Sequence, residues 1–344
     1  MRARVAWVGL GCVLALSAGG SSLLDLGLSR GAAPVDEPFV SAQRCGTCHV
    51  AQYEQWKTSR HAAAHSNPLY EHGFIDEPLD FCTHCHSPLA EQVAEVQANA
   101  DWYRARRHTD APLVERHPEE AASEGITCVV CHVRDGQIVF HRDSPGSPHD
   151  IRVEPAFNTA ELCQNCHQFE MFTAGPGGVQ STGELMQSTY DEWLAWGGRS
   201  SCQDCHMPDG AHIFRGAHDR EWLKQSVQVR QRGDRLRLRT RGVGHSLPTG
   251  DLFRRITVQA DAGEGFVLLA TYGKQRALVE ESGVPIKRLV GDTTLAPDVW
   301  SEVSLPTGWQ RWRVRYHYGS TGDEARQILP ADQLVFTLDE GARR

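Results

Sequence analysis

Five short stretches of the chain share one spacing: CGTCH from residue 45, CTHCH from 82, CVVCH from 128, CQNCH from 163 and CQDCH from 202. Each sets two thiols three residues apart and follows the second with an imidazole. Of the 11 cysteines, all but Cys12 fall in these copies. Thiols so spaced also suit a disulfide framework or a zinc site, but neither needs a histidine after every pair. Covalent haem attachment does need one. The thiols add to the porphyrin vinyl groups, and the next residue becomes the proximal ligand of the iron. One copy would be a weak signal; five in one chain are specific. Five covalently attached c-type haems are expected on Cys45, Cys48, Cys82, Cys85, Cys128, Cys131, Cys163, Cys166, Cys202 and Cys205. The expected proximal ligands are His49, His86, His132, His167 and His206.

Five irons with one proximal ligand each leave five further axial positions. Methionine is scarce, with Met171, Met186 and Met207 beyond the initiator, and Met207 abuts His206 too closely to reach the other face of that haem. Histidine is plentiful, so the supply favours paired histidine ligation and low reduction potentials. His61 and His65 lie four apart on a predicted helix and share a face, so either is a candidate. His149, His212, His218 and His245 sit in loops bracketed by glycine and proline, where backbone can approach a porphyrin closely. His72, His108, His117 and His141 lie in polar segments and read as surface residues, and His84 points away from the iron of its own motif.

The elements that must hold these groups differ along the chain. Residues 1–20 carry Arg2 and Arg4, an apolar run from Val5 to Ala18 and then small residues, the layout of a signal peptide or N-terminal anchor. Lipidation at Cys12 is a further reading of the same stretch. Residues 21–39 read as a linker. From 40 to 222 the chain is rich in Gly, Pro, Asp and His and holds few sustained periodic patterns, so the haems themselves are expected to supply much of the core. Short helices are expected over AQYEQWKTSRHAAAH and ELMQSTYDEWLAW, joined by long loops. Residues 223–344 change character. QSVQVRQRGDRLRLRTR alternates about a Gly-Asp turn, and RRITVQADAGEGFVLLATYG, WQRWRVRYHYG and QLVFTL continue the period of two. The arginines at 230, 232, 235, 237, 239 and 241 read as the solvated face of that sheet, and His317 as solvent-facing beside Arg311, Arg313 and Arg315. The fold class is α+β: a loop-rich, mostly helical multihaem cytochrome c domain at 40–222, then a small antiparallel β-sandwich-like domain at 223–344.

The run CGTCH…WKTSRHAAA…NPLY…FCTHCHSPLA…EGITCVVCH…SPHD…LCQNCHQF…TYDEWLAW…CQDCHMP…HIFRGAHD…GHSLPTG resembles the multihaem cytochromes c related to cytochrome c-554. It is most similar to their pentahaem members with a carboxy-terminal β domain. The likeness covers most of residues 40–260 in order. It implies distal ligation by His61 and His245, and it supports His149, His212 and His218 in the same role.

Capped on all five irons, such a protein is an electron carrier or relay, with no catalytic residue singled out. A reductase or oxidase of a small nitrogen or sulfur compound, with one open haem, is the alternative, and a subunit of an extracellular cytochrome assembly is a third reading. An exported location follows, periplasmic or extracellular, with membrane anchoring by the N-terminal segment left open. Expected partners are other cytochromes or a quinol-oxidising membrane protein, and self-association is compatible with the sequence. A net charge of -8 argues against a nucleic-acid partner.

Overall fold

The structure, a computed structural model, describes residues 39–106, 119–175, 178–281 and 283–343. The N-terminal signal or anchor, nearly all of the linker, His108 and His117 lie outside the described residues. Mixed helix and antiparallel sheet make the chain an α+β protein, as its sequence patterns imply.

In the first part the helices that carry the motifs are short, and the first of them ends inside its motif, at Gly46. They span Ala42–Gly46, Thr83–His86, Cys128–His132, Glu161–His167 and Cys202–His206. Two cysteines three apart then share a helix face, and in four of these turns the histidine is the last helical residue. Between them lie a small sheet of β1 (Val133–Arg134), β2 (Gln137–Phe140) and β3 (Ile151–Val153), and a hairpin of β4 (Gln168–Gly175) and β5 (Gly178–Ser188). Apolar burial in this part is broken into three small clusters, around Phe81 and Phe172, around Leu89 and Val129, and around Phe74 and Tyr103.

Both predicted helices are shorter than expected. The first covers only Val50–Trp56, because the following residues bond to a distant segment: Ile126 N donates to the His61 carbonyl at 2.9 Å, and Trp56 Nε1 to the Ile126 carbonyl at 2.7 Å. The second covers Thr189–Trp196, since Glu184 to Ser188 belong to β5. That hairpin was not anticipated, although GPGG at 175–178 is a turn signal.

The second part contains β6 (Val227–Arg232), β7 (Arg235–Thr240), β8 (Arg255–Asp261), β9 (Phe266–Tyr272), β10 (Lys274–Glu281), β11 (Val284–Asp292), β12 (Ser301–Ser304), β13 (Arg311–His317) and β14 (Val335–Ala342). One sheet has the order β12-β7-β6 and another β14-β13-β8-β9. Leu236 and Leu238 from the first, and Ile256, Val258 and Val314 from the second, are fully buried in one shared cluster. Each buried aliphatic side chain contributes about 1.5 to 3 kcal/mol, so this sandwich has an apolar core of its own. The helix Arg220–Gln225 crosses the expected boundary at 222, and its Leu223 packs into the sandwich.

The remaining hairpin, β10–β11, leans on β4–β5. Arg276 Nη2 donates to the Leu185 carbonyl at 2.6 Å, Arg288 Nη1 to the Thr182 carbonyl at 2.8 Å, and Leu289 N to Glu184 Oε2 at 2.8 Å. The two parts are thereby joined along the β4–β5 hairpin.

His317 corrects a sequence expectation. It is 5% exposed, with Nε2 against Thr257 Oγ1 at 2.9 Å and Nδ1 against Glu324 Oε1 at 2.8 Å. The helix Thr321–Arg326, which carries Glu324, folds over the end of the strand face on which Arg311 and Arg313 stay outside.

Candidate haem-binding site

One continuous cavity of 2530 Å³ runs through the first part and up to the sandwich. It exceeds the roughly 300 to 1,000 Å³ of an ordinary small-molecule site. All ten motif cysteines line it, as do the five motif histidines and His61, His149, His212, His218 and His245. Neighbouring motifs touch through their thiols: Cys45 meets Cys128, Cys85 meets Cys166, and Cys163 meets Cys202.

The imidazoles are prepared as ligands. His86 Nδ1 bonds the Ala64 carbonyl at 2.7 Å, His212 Nδ1 the Gly210 carbonyl at 3.0 Å, His245 Nδ1 the Ser246 carbonyl at 2.8 Å, and His206 Nδ1 the Arg215 carbonyl. A carbonyl only accepts, so the ring proton sits on Nδ1 and the Nε2 lone pair is left for a metal. Burial also favours the neutral ring at His86, His206 and His212. It pushes His61 down to about 3, and His86, His132 and His167 down to about 4. Neutral imidazole is the form that coordinates.

Ring geometry pairs eight of the ten histidines. His49 and His149 have centroids 6.3 Å apart, His132 and His212 6.1 Å, His61 and His167 6.4 Å, and His206 and His245 6.3 Å. A metal–imidazole bond of about 2 Å on each side, with about 1.1 Å from nitrogen to ring centre, separates two axial rings by about 6.2 Å. Each pair thus stands at the distance that one shared metal requires. Donor set and cavity both fit covalently held haem.

Local packing explains two of these placements. A side chain at Gly244 would put its Cβ 2.8 Å from the Trp196 ring, so only glycine lets the loop before His245 lie against that indole. Gly125, at a φ of +59°, would clash with the His61 carbonyl at 2.5 Å, and its turn clamps the His61 backbone.

The remaining two histidines are not brought together. His86 lies flat on Tyr70, with ring centroids 3.8 Å apart at 12°. His218 stacks instead on Tyr318, 4.7 Å away at 19°, with its Nδ1 3.0 Å from Arg60 Nη2. His65, the other candidate beside His61, has both nitrogens engaged: Nε2 donates to Glu119 Oε2 at 2.6 Å and Nδ1 accepts from Ser87 Oγ at 3.2 Å, so no nitrogen lone pair is left for a metal. His72 sits between Asp76 and Asp323, and the His141 ring lies 4.2 Å from Phe140, tilted at 50°. Tyr70 and Arg60 lie in the segments NPLY and WKTSRHAAA, and Tyr318 in the strand segment WQRWRVRYHYG, but none of them has a role assigned from sequence.

Residues 38–219 match the family described as outer membrane cytochrome MtrC/MtrF-like, domains II/IV. The chain belongs to that family. It is therefore a multihaem c-type cytochrome: it binds haem iron and transfers electrons. The fold of this cytochrome is also that of the crystal structure of a penta-heme cytochrome c552 from Thermochromatium tepidum. The TM-score is 0.62 and the identity 20%, over 89% of this chain and 100% of the other. At that identity the likeness concerns the fold. No curated protein matches the sequence.

Proposed function

We propose that this cytochrome is an exported electron relay with five covalent haems, on Cys45/Cys48, Cys82/Cys85, Cys128/Cys131, Cys163/Cys166 and Cys202/Cys205. Four of the irons would be held between paired histidines: His49 with His149, His132 with His212, His167 with His61 and His206 with His245. The observation that carries this reading is the set of four ring pairs at 6.1 to 6.4 Å, built from residues far apart in sequence.

Bound haem supplies one-electron iron chemistry, and the chain sets where it happens. Thiol contacts order the attachment sites. The first lies beside the third and the fourth beside the second and fifth, while Cys131 of the third is close enough to Cys166 of the fourth to raise its energy of ionisation. The fourth site is thus a junction. Backbone carbonyls would hold His86, His206, His212 and His245 with Nε2 toward the group, and burial disfavours protonation of His61, His86, His132 and His167. The partners fitting this role are other redox proteins, cytochromes or a quinol-oxidising membrane protein. Among the described residues no helix is long and apolar enough to cross a membrane.

His245 links the sandwich to the site on His206. Replacing it by alanine is expected to convert one iron per chain from low-spin to high-spin and to shift one reduction potential, read by electron paramagnetic resonance and a redox titration. An unchanged spectrum with unchanged potentials would refute the pairing.

A further inference from the structure

The two sheets of the sandwich present arginines to solvent in opposite ways. On β13 they are matched to partners: Arg311 stands opposite Asp261 and pairs with it, and Arg313 stands between Glu340 and Gln259, whose Oε1 accepts from its Nε at 2.6 Å. On the outer face of β12-β7-β6 arginine meets arginine. Register sets Arg230 opposite Arg237 and Arg232 opposite Arg235. Like charges directly across a ladder destabilise it, and the inner face, filled by Leu236, Leu238 and Val303, requires only that the outer residues be polar.

Glu302 on β12 stands opposite Arg237, pairs with Arg235 and lies 3.7 Å from Arg237 Nε. Among the described residues no carboxylate pairs with Arg230, Arg232 or Arg239, and Arg239 Nε donates instead to Gln228 Oε1 at 2.8 Å. The guanidinium groups of Arg230, Arg237 and Arg239 lie over the Trp300 ring, 4.7 to 5.4 Å from its centre, which gathers them into one array. Five cations and one carboxylate thus share a face of a chain whose net charge is -8.

The face ends where the fifth attachment site begins. β7 leads through Arg241 into the loop that holds His245, whose ring is paired with His206. His245 follows Arg241 by four residues, a span of at most about 14 Å. On the other strand, Ser226 directly precedes β6, accepts from Arg241 N at 2.9 Å and lines the cavity. Trp222, in the preceding helix, stands edge-on to His206 at 5.3 Å. A protein seated on the arginines therefore sits beside that site.

We propose that the outer face of β12-β7-β6 docks an acidic one-electron redox protein and so places it at the site on Cys202, Cys205 and His206. This rests on the relay reading, which supplies that site. Carboxylates on a protein surface complement the array: a guanidinium binds them through two parallel hydrogen bonds, and a cationic face on an anionic molecule orients the approach of an acidic partner. One electron crosses per encounter, the partner's centre being oxidised as the fifth site is reduced, and no bond forms. The ligand loop at the border of the face favours a redox protein over a lipid surface as its occupant.

The test follows reduction of the haem-loaded, oxidised full chain by a reduced plant-type two-iron ferredoxin, an acidic one-electron donor, in stopped flow at several ionic strengths. The second-order rate is expected to fall as salt rises. Arg230→Gln, Arg232→Gln and Arg239→Gln together should slow the reaction about 10- to 100-fold at low ionic strength and flatten its salt dependence. Arg311→Gln, Arg313→Gln and Arg315→Gln, an equal change of net charge on the other sheet, should leave the rate within about twofold. Equal slowing by both sets, or a rate that neither salt nor the first set changes, would overturn the proposal. So would a first set that leaves the ferredoxin rate intact but abolishes binding to phosphatidylglycerol vesicles or a salt-sensitive dimer of the chain, either of which would give the face to another occupant. Haem content tests the relay separately: fewer than five haems in the unsubstituted chain removes that reading, whereas the ratio between the two variant sets still decides the surface.

Discussion

The two parts of the molecule hold themselves together by different means. The sandwich buries Leu236, Leu238, Ile256, Val258, Val314 and Tyr316 in one cluster shared by two sheets. The haem-binding part has three separate small clusters arranged round a 2530 Å³ cavity lined by its own cysteines and histidines. Hydrophobic burial scales with the apolar area removed from water, so the sandwich is expected to hold without a cofactor, while the cavity-lined part has far less apolar packing of its own. The expectation is that cofactor binding stabilises the haem-binding part and packing the sandwich.

The sharpest way to break that contrast is to mature the chain without haem. Limited proteolysis should then cut freely between residues 39 and 226 and spare a fragment close to 227–343. Equal resistance along the whole chain would show that the first part has a sufficient core without its cofactors.

Within the sandwich, Leu238→Ala is expected to lower unfolding stability by about 2 to 5 kcal/mol through the cavity it leaves, measured by denaturant titration followed in the far ultraviolet. The haem absorption bands at low denaturant should not move. If they did, the sandwich core would be continuous with the haem sites.

Gly244→Ala addresses the junction of the two parts. A Cβ there meets the Trp196 ring at 2.8 Å, so the loop or the indole has to give, at a cost of about 1 to 3 kcal/mol for overpacking. Partial loss of the His245 contact should appear as a mixture of high-spin and low-spin signal at one iron, and Trp196→Leu in the same chain should restore the low-spin form.

The smallest effect concerns pH. Burial lowers the folded pKa of His317, so the unfolded chain binds more protons between that value and the ordinary histidine range near 6.5. Its contribution to stability is complete above that range and lost as pH falls below it. The difference in melting temperature between the protein and His317→Asn should therefore change as pH is taken from 7 to 5, and a constant difference would mean that His317 does not titrate in this way.

Legibility follows the same division. Haem attachment is local, five residues long, and so can be read straight from the chain. Axial pairing is not. His49 meets His149 and His206 meets His245 because distant loops converge, and no periodicity encodes that. His65 shares a helix-like spacing with His61, and only Glu119 and Ser87, far off in sequence, remove it from contention. His218 has the loop framing of a ligand, and the structure sets its ring against Tyr318 with Nδ1 3.0 Å from Arg60 Nη2, contacts that the sequence does not encode. In the sandwich, alternation marks the strands and their inner faces, but it misplaces His317 because a helix after the strand covers the nominally outer face. The hairpin at 168–188 buries Phe169, Met171 and Phe172, but its register shifts at Phe169/Glu170 and Glu170/Phe172 break the period of two by which a strand is read from sequence.

The central claim is that four irons are held between the histidine pairs 49/149, 132/212, 61/167 and 206/245. Near-infrared magnetic circular dichroism of the oxidised, haem-loaded protein tests it most directly, because low-spin charge-transfer bands distinguish paired imidazole from imidazole with methionine. Paired-imidazole intensity equivalent to four irons per chain is the predicted result. A methionine-type band, or paired-imidazole intensity for three irons or fewer, would contradict the account.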